Sequence, residues 1–247
     1  GLIAFGTLMA GNVFNVNAGG NVTFVEASGN DGTIVMNADG NISGGSVLGG
    51  LSGIDSGDDT ITLTAGGNIS LTGTARGLDN CNATATGTVN IASLDVTDNT
   101  NLSGTAVTLN SGTTGGGLTL NATAGEVNVT DAITVGSFAN FDATSNISFT
   151  SVTAGNGIDA TTTGGDVSFT DANVNLENVS ISATGNIAGA SISTGLAGVD
   201  SGADSVFLNA GGNISLTGTG SALDNFNATA TGMVNIASLD VADNASL

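Results

Sequence analysis

The sequence lacks the residues on which most charged binding sites depend. It has no proline, tryptophan, tyrosine, histidine or lysine, and Arg76 is its only basic residue. Eighteen aspartates and three glutamates bring the net charge to −20. We expect no nucleic-acid partner, because nothing could neutralise the phosphates. We also expect no attraction to anionic lipids and no membrane insertion, since no segment approaches the ~20 apolar residues of a membrane span.

The missing bases also argue against an enzyme. Without histidine, no side chain ordinarily titrates near neutral pH, and a lyase acting on acidic sugars would have only Arg76 as its base. A glycosidase needs only two carboxylates, but the tyrosine and tryptophan platforms common in sugar-binding clefts are absent. We therefore assign no catalytic, cofactor-binding or metal-binding residue. A glycan-binding or glycan-cleaving surface is the alternative.

Two local features are predicted to belong to the core. The single cysteine, Cys81, has no partner for an internal disulfide, and we interpret it as a small buried hydrophobic residue. The apolar segment 1–11 lacks the basic region of a signal peptide. We interpret it as a core strand.

A long internal repeat organises the chain. Residues 38–102 realign on 183–247 at an offset of 145 residues, and 44 of the 65 aligned positions are identical. We predict one continuous solenoid segment over 1–247, with a first unit at 1–145 and a partial second unit at 146–247. Core changes between the copies include Cys81 to Phe226 and Thr88 to Met233.

A short period lies inside the long one. The first apolar residues of strand-like segments such as NVTF and NISL recur mostly 20 residues apart, with two steps of 27, and seven steps make the 145-residue unit. Short alternating strands at this spacing, punctuated by Gly and Asn, are typical of the coils of a β-helix. The sequence predicts an all-β fold, a right-handed parallel β-helix (β-solenoid) of about twelve coils with three short strands per coil. Apolar residues predicted to add to the core of individual coils are Ile34, Met36, Leu118, Leu120, Val174, Leu176, Val179 and Ile181.

One corner of each coil carries asparagine. The residue before the marked strand is Asn at positions 21, 41, 68, 146, 186 and 213, with Asp166 and Glu126 as variants. Asparagine tolerates turn geometry and stacks on equivalent residues in neighbouring strands. We predict an asparagine ladder there. The absence of proline fits strands that are paired on both sides.

An acidic insertion accounts for each 27-residue step. The segment LSGIDSGDDT contains Asp55, Asp58 and Asp59, and its second copy, LAGVDSGADS, contains Asp200 and Asp204. Clustered aspartates with glycine are a candidate calcium site near Asp55, Asp59, Asp200 and Asp204. The alternative is an exposed acidic loop, since the EF-hand pattern is absent. The motifs LDVTDN and LDVADN are likewise assigned to a solvated face.

Twelve N-x-S/T triplets occur in the chain. They are acceptors for glycosylation in a secreted protein. The alternative is that asparagine corners followed by V-x-T or I-S strands generate the triplet by composition.

The units AGGNVTF, AGGNISLTGT, TGGDVSF and ATGTVNIAS resemble the haemagglutinin repeats of filamentous haemagglutinin-like adhesins. The resemblance implies a right-handed β-helix, an extracellular or outer-surface location reached by two-partner secretion, and a role in adhesion, aggregation or matrix. Together these features predict the structural shaft of an extracellular filament or large surface adhesin. Its expected partners are further copies of the repeat in a longer chain, neighbouring filaments, or host and cell-surface glycans.

Overall fold

The computed structural model describes residues 1–51, 53, 59–198 and 204–247, which form 24 strands and no helix. The chain divides into two compact units, unit 1 (Gly1–Thr123) and unit 2 (Ala124–Leu247). Asp55, Asp58 and Asp200 lie outside the described residues. Each unit is a stack of six coils, and a coil is one long strand followed by one short strand. The predicted all-β parallel solenoid of about twelve coils is confirmed.

Unit 1 contains two parallel six-stranded sheets. The long-strand sheet is formed by β1 (Ile3–Ala10), β3 (Val22–Gly29), β5 (Ile42–Leu48), β7 (Ile69–Gly77), β9 (Val89–Val96) and β11 (Val107–Thr114). The short-strand sheet is formed by β2 (Phe14–Ala18), β4 (Ile34–Ala38), β6 (Ile61–Ala65), β8 (Cys81–Ala85), β10 (Thr100–Gly104) and β12 (Leu118–Ala122). The N-terminal apolar segment forms the predicted strand, β1, which pairs with β3. Its assignment to the core was wrong, because no residue of β1 is buried.

Unit 2 repeats this arrangement. Its long strands are β13 (Val127–Val135), β15 (Ile147–Ala154), β17 (Val167–Val174), β19 (Ile187–Ser193), β21 (Ile214–Ala222) and β23 (Val234–Val241). Its short strands are β14 (Phe138–Ala143), β16 (Gly157–Thr162), β18 (Val179–Ala183), β20 (Val206–Ala210), β22 (Asn225–Ala230) and β24 (Asn244–Ser246). The prediction of one continuous segment over 1–247 stays a prediction, as does the right-handed twist.

The number of strands per coil was predicted wrongly. Each coil has two strands where three were expected, because the long strand runs on through one corner. Pairing skips a residue or shifts its register there and resumes directly beyond it. In β9, Val89 and Ile91 are buried, two partly exposed residues follow, and burial resumes at Leu94 and Val96. The inward phase therefore shifts by one residue in mid-strand, and the two halves of the strand line two sides of the core.

The core is a set of columns of inward residues, each residue stacked on its equivalent in the next coil. Ile34, Met36, Leu118, Leu120, Val174, Val179 and Ile181 are buried as predicted. Leu176 is 37% exposed, so its assignment to the core was wrong. It precedes β18 in a turn, where strand alternation no longer decides which way a side chain faces.

Phenylalanine rings fill particular levels of the columns. Phe149 and Phe169 stack with centroids 5.2 Å apart, and the next coil has Gly189 in register with Phe169. A Cβ at Gly189 would lie 2.2 Å from the Phe169 ring. Gly44 stands in the same relation to Phe24 in unit 1, also at 2.2 Å. The glycine thus provides the room that the ring occupies.

The two copies of the long repeat fill one part of the core with side chains of different size. Cys81 and Phe226 are both fully buried, which confirms Cys81 as a core residue. The larger Phe226 ring is accommodated at Gly220, where a Cβ would lie 2.6 Å from ring atom Cε2. The counterpart of Gly220 in unit 1 is the buried Ala75. The change from Thr88 to Met233 is not a core change, because Met233 is 73% exposed.

The backbone turn just before the acidic insertion is the same in both copies of the long repeat. Gly50 and Gly195, 145 residues apart, have φ angles of 65° and 70°, in the left-handed region that glycine adopts readily. A Cβ at either position would lie 2.5 Å from the Cγ atom of Leu78 or Leu223, respectively. Each acidic insertion therefore starts from the same tight turn.

Candidate functional site

The acidic insertion is the first candidate, and two of its carboxylates are described. Asp59 is fully buried. Its Oδ1 accepts a 2.7 Å hydrogen bond from the Gly32 N–H, and its own N–H donates to Asp79 Oδ2 at 2.7 Å. Asp59 therefore ties three successive coils together, which is a structural role for a buried carboxylate.

The second copy repeats part of this geometry. Asp204 is fully buried, and its N–H donates to Asp224 Oδ2 at 2.9 Å. Its carbonyl oxygen accepts the Thr194 hydroxyl at 2.7 Å. Within the described part of the chain, no three acidic or cysteine side chains are grouped as metal ligands. Calcium binding at the insertion stays a prediction, since Asp55 and Asp200 lie outside the described residues.

The predicted asparagine ladder is confirmed at the corner before the long strands. In unit 1, Asn21 Oδ1 accepts the Asn41 N–H at 2.9 Å, and Asn41 Oδ1 accepts the Asn68 N–H at 2.7 Å. Asn68 Oδ1 then accepts the Thr88 N–H at 2.8 Å. Each side-chain oxygen thus binds the backbone of the next coil, although the corner itself is exposed.

Unit 2 contains the same ladder with one charged member. Asn146 Oδ1 accepts the Asp166 N–H at 2.9 Å, and Asp166 Oδ1 accepts the Asn186 N–H at 2.6 Å. Asn186 and Asn213 continue the series at 2.9 and 2.8 Å, ending on the Met233 N–H. A carboxylate therefore replaces the amide oxygen directly, because only an acceptor is required.

A second ladder lies at the corner before the short strands, and the sequence analysis missed it. Asn99 Oδ1 accepts the Gly117 N–H at 2.8 Å, and Asn80 Oδ1 accepts the Asn99 N–H at 3.2 Å. In unit 2, Asn178 Oδ1 accepts the Ser205 N–H at 3.0 Å. The available signal was weak, because Asn stands one residue before only four of the twelve short strands.

The N-x-S/T triplets fall into distinct environments. Asn21, Asn41, Asn68, Asn146 and Asn213 are ladder residues whose side-chain oxygens bind the next coil. Asn82, Asn101, Asn121 and Asn227 instead stand at outward positions of short strands, partly or fully exposed. The triplet at the corner therefore has a structural cause. Glycosylation stays a prediction.

Charged side chains outside the insertions are partly or fully exposed. Arg76 Nε lies 3.6 Å from Asp95 Oδ2, and both side chains are exposed, so this ion pair contributes little to stability. Asp95 and Asp98 of LDVTDN are exposed, as predicted. Burial, partly offset by a hydrogen bond from Thr161, raises the pKa of Asp159, and nearby Asp142 raises it further.

Two open grooves in the described part of the chain hold few carboxylates. One groove in unit 1 runs past Asn17, Asn37 and Thr64 and has Asp39 as its single carboxylate. A groove in unit 2 has Glu126 and Asp166, which stand two coils apart, or about 10 Å. Asp166 Oδ1 already accepts two hydrogen bonds from Asn186, so it serves as a ladder residue.

No protein-family model, curated protein or solved structure matches this chain. In the described part of the chain, no helix has the length and apolar character needed to span a bilayer. The class that the fold defines is a parallel β-solenoid repeat protein.

Proposed function

We propose that this chain is a segment of the structural shaft of an extracellular filament or large surface adhesin, and that it has no catalytic role. One observation carries the proposal: in each unit, both sheets repeat the same parallel pairing from coil to coil, and side-chain ladders link consecutive coils at the corners. Solenoids built this way depend only on contacts between neighbouring repeats and extend by adding coils. The resemblance to haemagglutinin repeats supports the extracellular location.

The position of the single trypsin site supports the same role. Trypsin has one possible cleavage site, after Arg76. Arg76 lies within β7, which pairs with β5 and β9, and its carbonyl oxygen accepts the Gly49 N–H at 2.7 Å. Cleavage therefore requires local opening of a strand that is paired on both sides.

Length is the decisive measurement. Coils stack about 4.8 Å apart, so a chain with residues 1–145 duplicated in tandem should lengthen by about 34 Å. Small-angle X-ray scattering gives the maximum dimension and the cross-section of both chains. The shaft predicts added length at constant cross-section. A longer chain whose cross-section grows while its maximum dimension stays the same would contradict it.

A further inference from the structure

The short-strand sheet of unit 1 has an outer surface made of two columns, here called the neutral face. The first column consists of Asn15, Val35, Thr62, Asn82, Asn101 and Thr119. The second consists of Asn17, Asn37, Thr64, Thr84, Ser103 and Asn121. All twelve positions are described, eleven are Asn, Thr or Ser, and none carries a charge.

The described charges of unit 1 flank the face and do not stand on it. Glu26, Arg76 and Asp95 stand on the long-strand sheet. Asp31, Asp59, Asp79 and Asp98 precede short strands, and the exposed Asp39 directly follows β4, at the edge of the second column. On a chain with a net charge of −20, the neutral face is therefore a surface that another acidic molecule can approach without meeting like charges directly.

The corresponding surface of unit 2 differs in this respect. Asp142 on β14 and Asp159 on β16 stand at its outward positions. They occupy neighbouring strands, with Asp142 in register with Thr161 and Asp159 in register with Asn140. Two carboxylates at such a position would repel the same pair on a second molecule.

We propose that the neutral face of unit 1 packs against the neutral face of a second copy of this chain. Amide and hydroxyl side chains both donate and accept, so a surface made of them can form hydrogen bonds with an identical surface. The coil spacing of a second copy also matches by identity, so contacts made at one coil recur at the next. Flat sheets bearing Asn in register are known to pair in this manner.

This contact rests on the proposed shaft function, and it names a second copy of the chain as the lateral partner of the shaft. Six strands of five residues give a face of roughly 29 by 16 Å, or about 900 Å² for both copies. That area is below the ~1,200 Å² of a stable interface, so one pair of faces should associate weakly. In a shaft with many repeats, successive faces would act together and strengthen the contact.

Salt should strengthen this association. The turns beside the face carry Asp39, Asp79 and Asp98, which repel their equivalents on the approaching copy. Salt shortens the range of that repulsion to about 10 Å at 0.1 M. An interface held by ion pairs would respond in the opposite direction.

The test is sedimentation velocity of the full chain over a range of protein and salt concentrations. The variants are Thr84→Asp and Asn101→Asp, at exposed positions of the neutral face, with Asn90→Asp as a matched control at an exposed position of β9. We expect a concentration-dependent dimer that salt favours, an association constant reduced about tenfold or more by either face variant, and no change with the control. The double variant Asp142→Asn and Asp159→Asn should associate more strongly than the unmodified chain.

Three results would overturn the inference. One is a chain that stays monomeric at every protein and salt concentration, and another is equal weakening by Asn90→Asp. The third is a chain that stays monomeric and whose migration in affinity electrophoresis is slowed by dextran, with the slowing lost in Thr84→Asp. The neutral face would then bind a neutral glycan and not a second copy. The length test is done on chains with intact faces, so the shaft and the lateral contact can fail separately.

Discussion

Raising the pH should destabilise the fold through a single group, the Cys81 thiol. Burial raises the pKa of Cys81 from 9.0 to about 12. The chain has no tyrosine, lysine or histidine. Between pH 9 and pH 12, Cys81 is therefore the one side chain expected to titrate.

The sign follows from where the proton is held. The folded state keeps the thiol protonated to a higher pH than the unfolded state, so the unfolded chain loses its proton first. Stability is therefore fully present below about pH 9 and is lost as the pH rises toward about 12. One pKa unit corresponds to about 1.4 kcal/mol, so the free energy of unfolding should fall by about 2 kcal/mol between pH 9 and pH 11.

Urea denaturation followed by circular dichroism at several pH values measures this slope. Cys81→Ala serves as the control: it leaves a small cavity that costs stability at every pH, but it removes the titrating group. The slope should disappear in the variant. If Cys81→Ala keeps the alkaline slope of the unmodified chain, the assignment to the buried thiol is wrong.

Three further predictions concern the core packing, the asparagine ladder and a buried hydroxyl. Phe169→Ala should lower the free energy of unfolding by about 3–5 kcal/mol, and Gly189→Ala by about 1–3 kcal/mol. Because the added methyl enters the space of the ring, calorimetry of the double variant should show a loss smaller than the sum of the two. Strictly additive losses would contradict the contact. Asn68→Ala should lower the free energy of unfolding in urea by about 1 kcal/mol, since the Thr88 N–H loses its acceptor. Asn68→Asp should lower it by less, because the carboxylate keeps an acceptor. Equal losses in the two variants would refute the ladder. Thr100→Val should raise the midpoint of thermal unfolding. The buried Thr100 hydroxyl has no hydrogen-bond partner among the described residues, and its desolvation costs about 1–3 kcal/mol. A lower midpoint would contradict this explanation.

The sequence predicted the features that depend on local spacing. A repeat of about 20 residues places equivalent residues one above another, so the stacking of coils followed directly. The asparagine corner before the long strands was also visible, because Asn41 and Asn68 stand one residue before an unmistakable strand. The acidic insertion could be located but not assigned a contact. The hydrogen bond from Gly32 to Asp59 joins residues 27 positions apart.

Several features were decided only when the coils stacked. The pairing of the long strand resumes directly beyond its corner, because the neighbouring coils turn at the same level. Each coil therefore has two strands and not the predicted three. Gly189 leaves room for the Phe169 ring of the neighbouring coil. Gly220 leaves room for the Phe226 ring on a different side of the core. The neutral face is likewise a property of the stack, since its residues come from six separate short strands. The sequence by itself determined the period and the inward positions, because both follow from alternation along one strand. The tertiary structure decided which side chains share space and which surface is free of charge, because those depend on residues that meet only across coils.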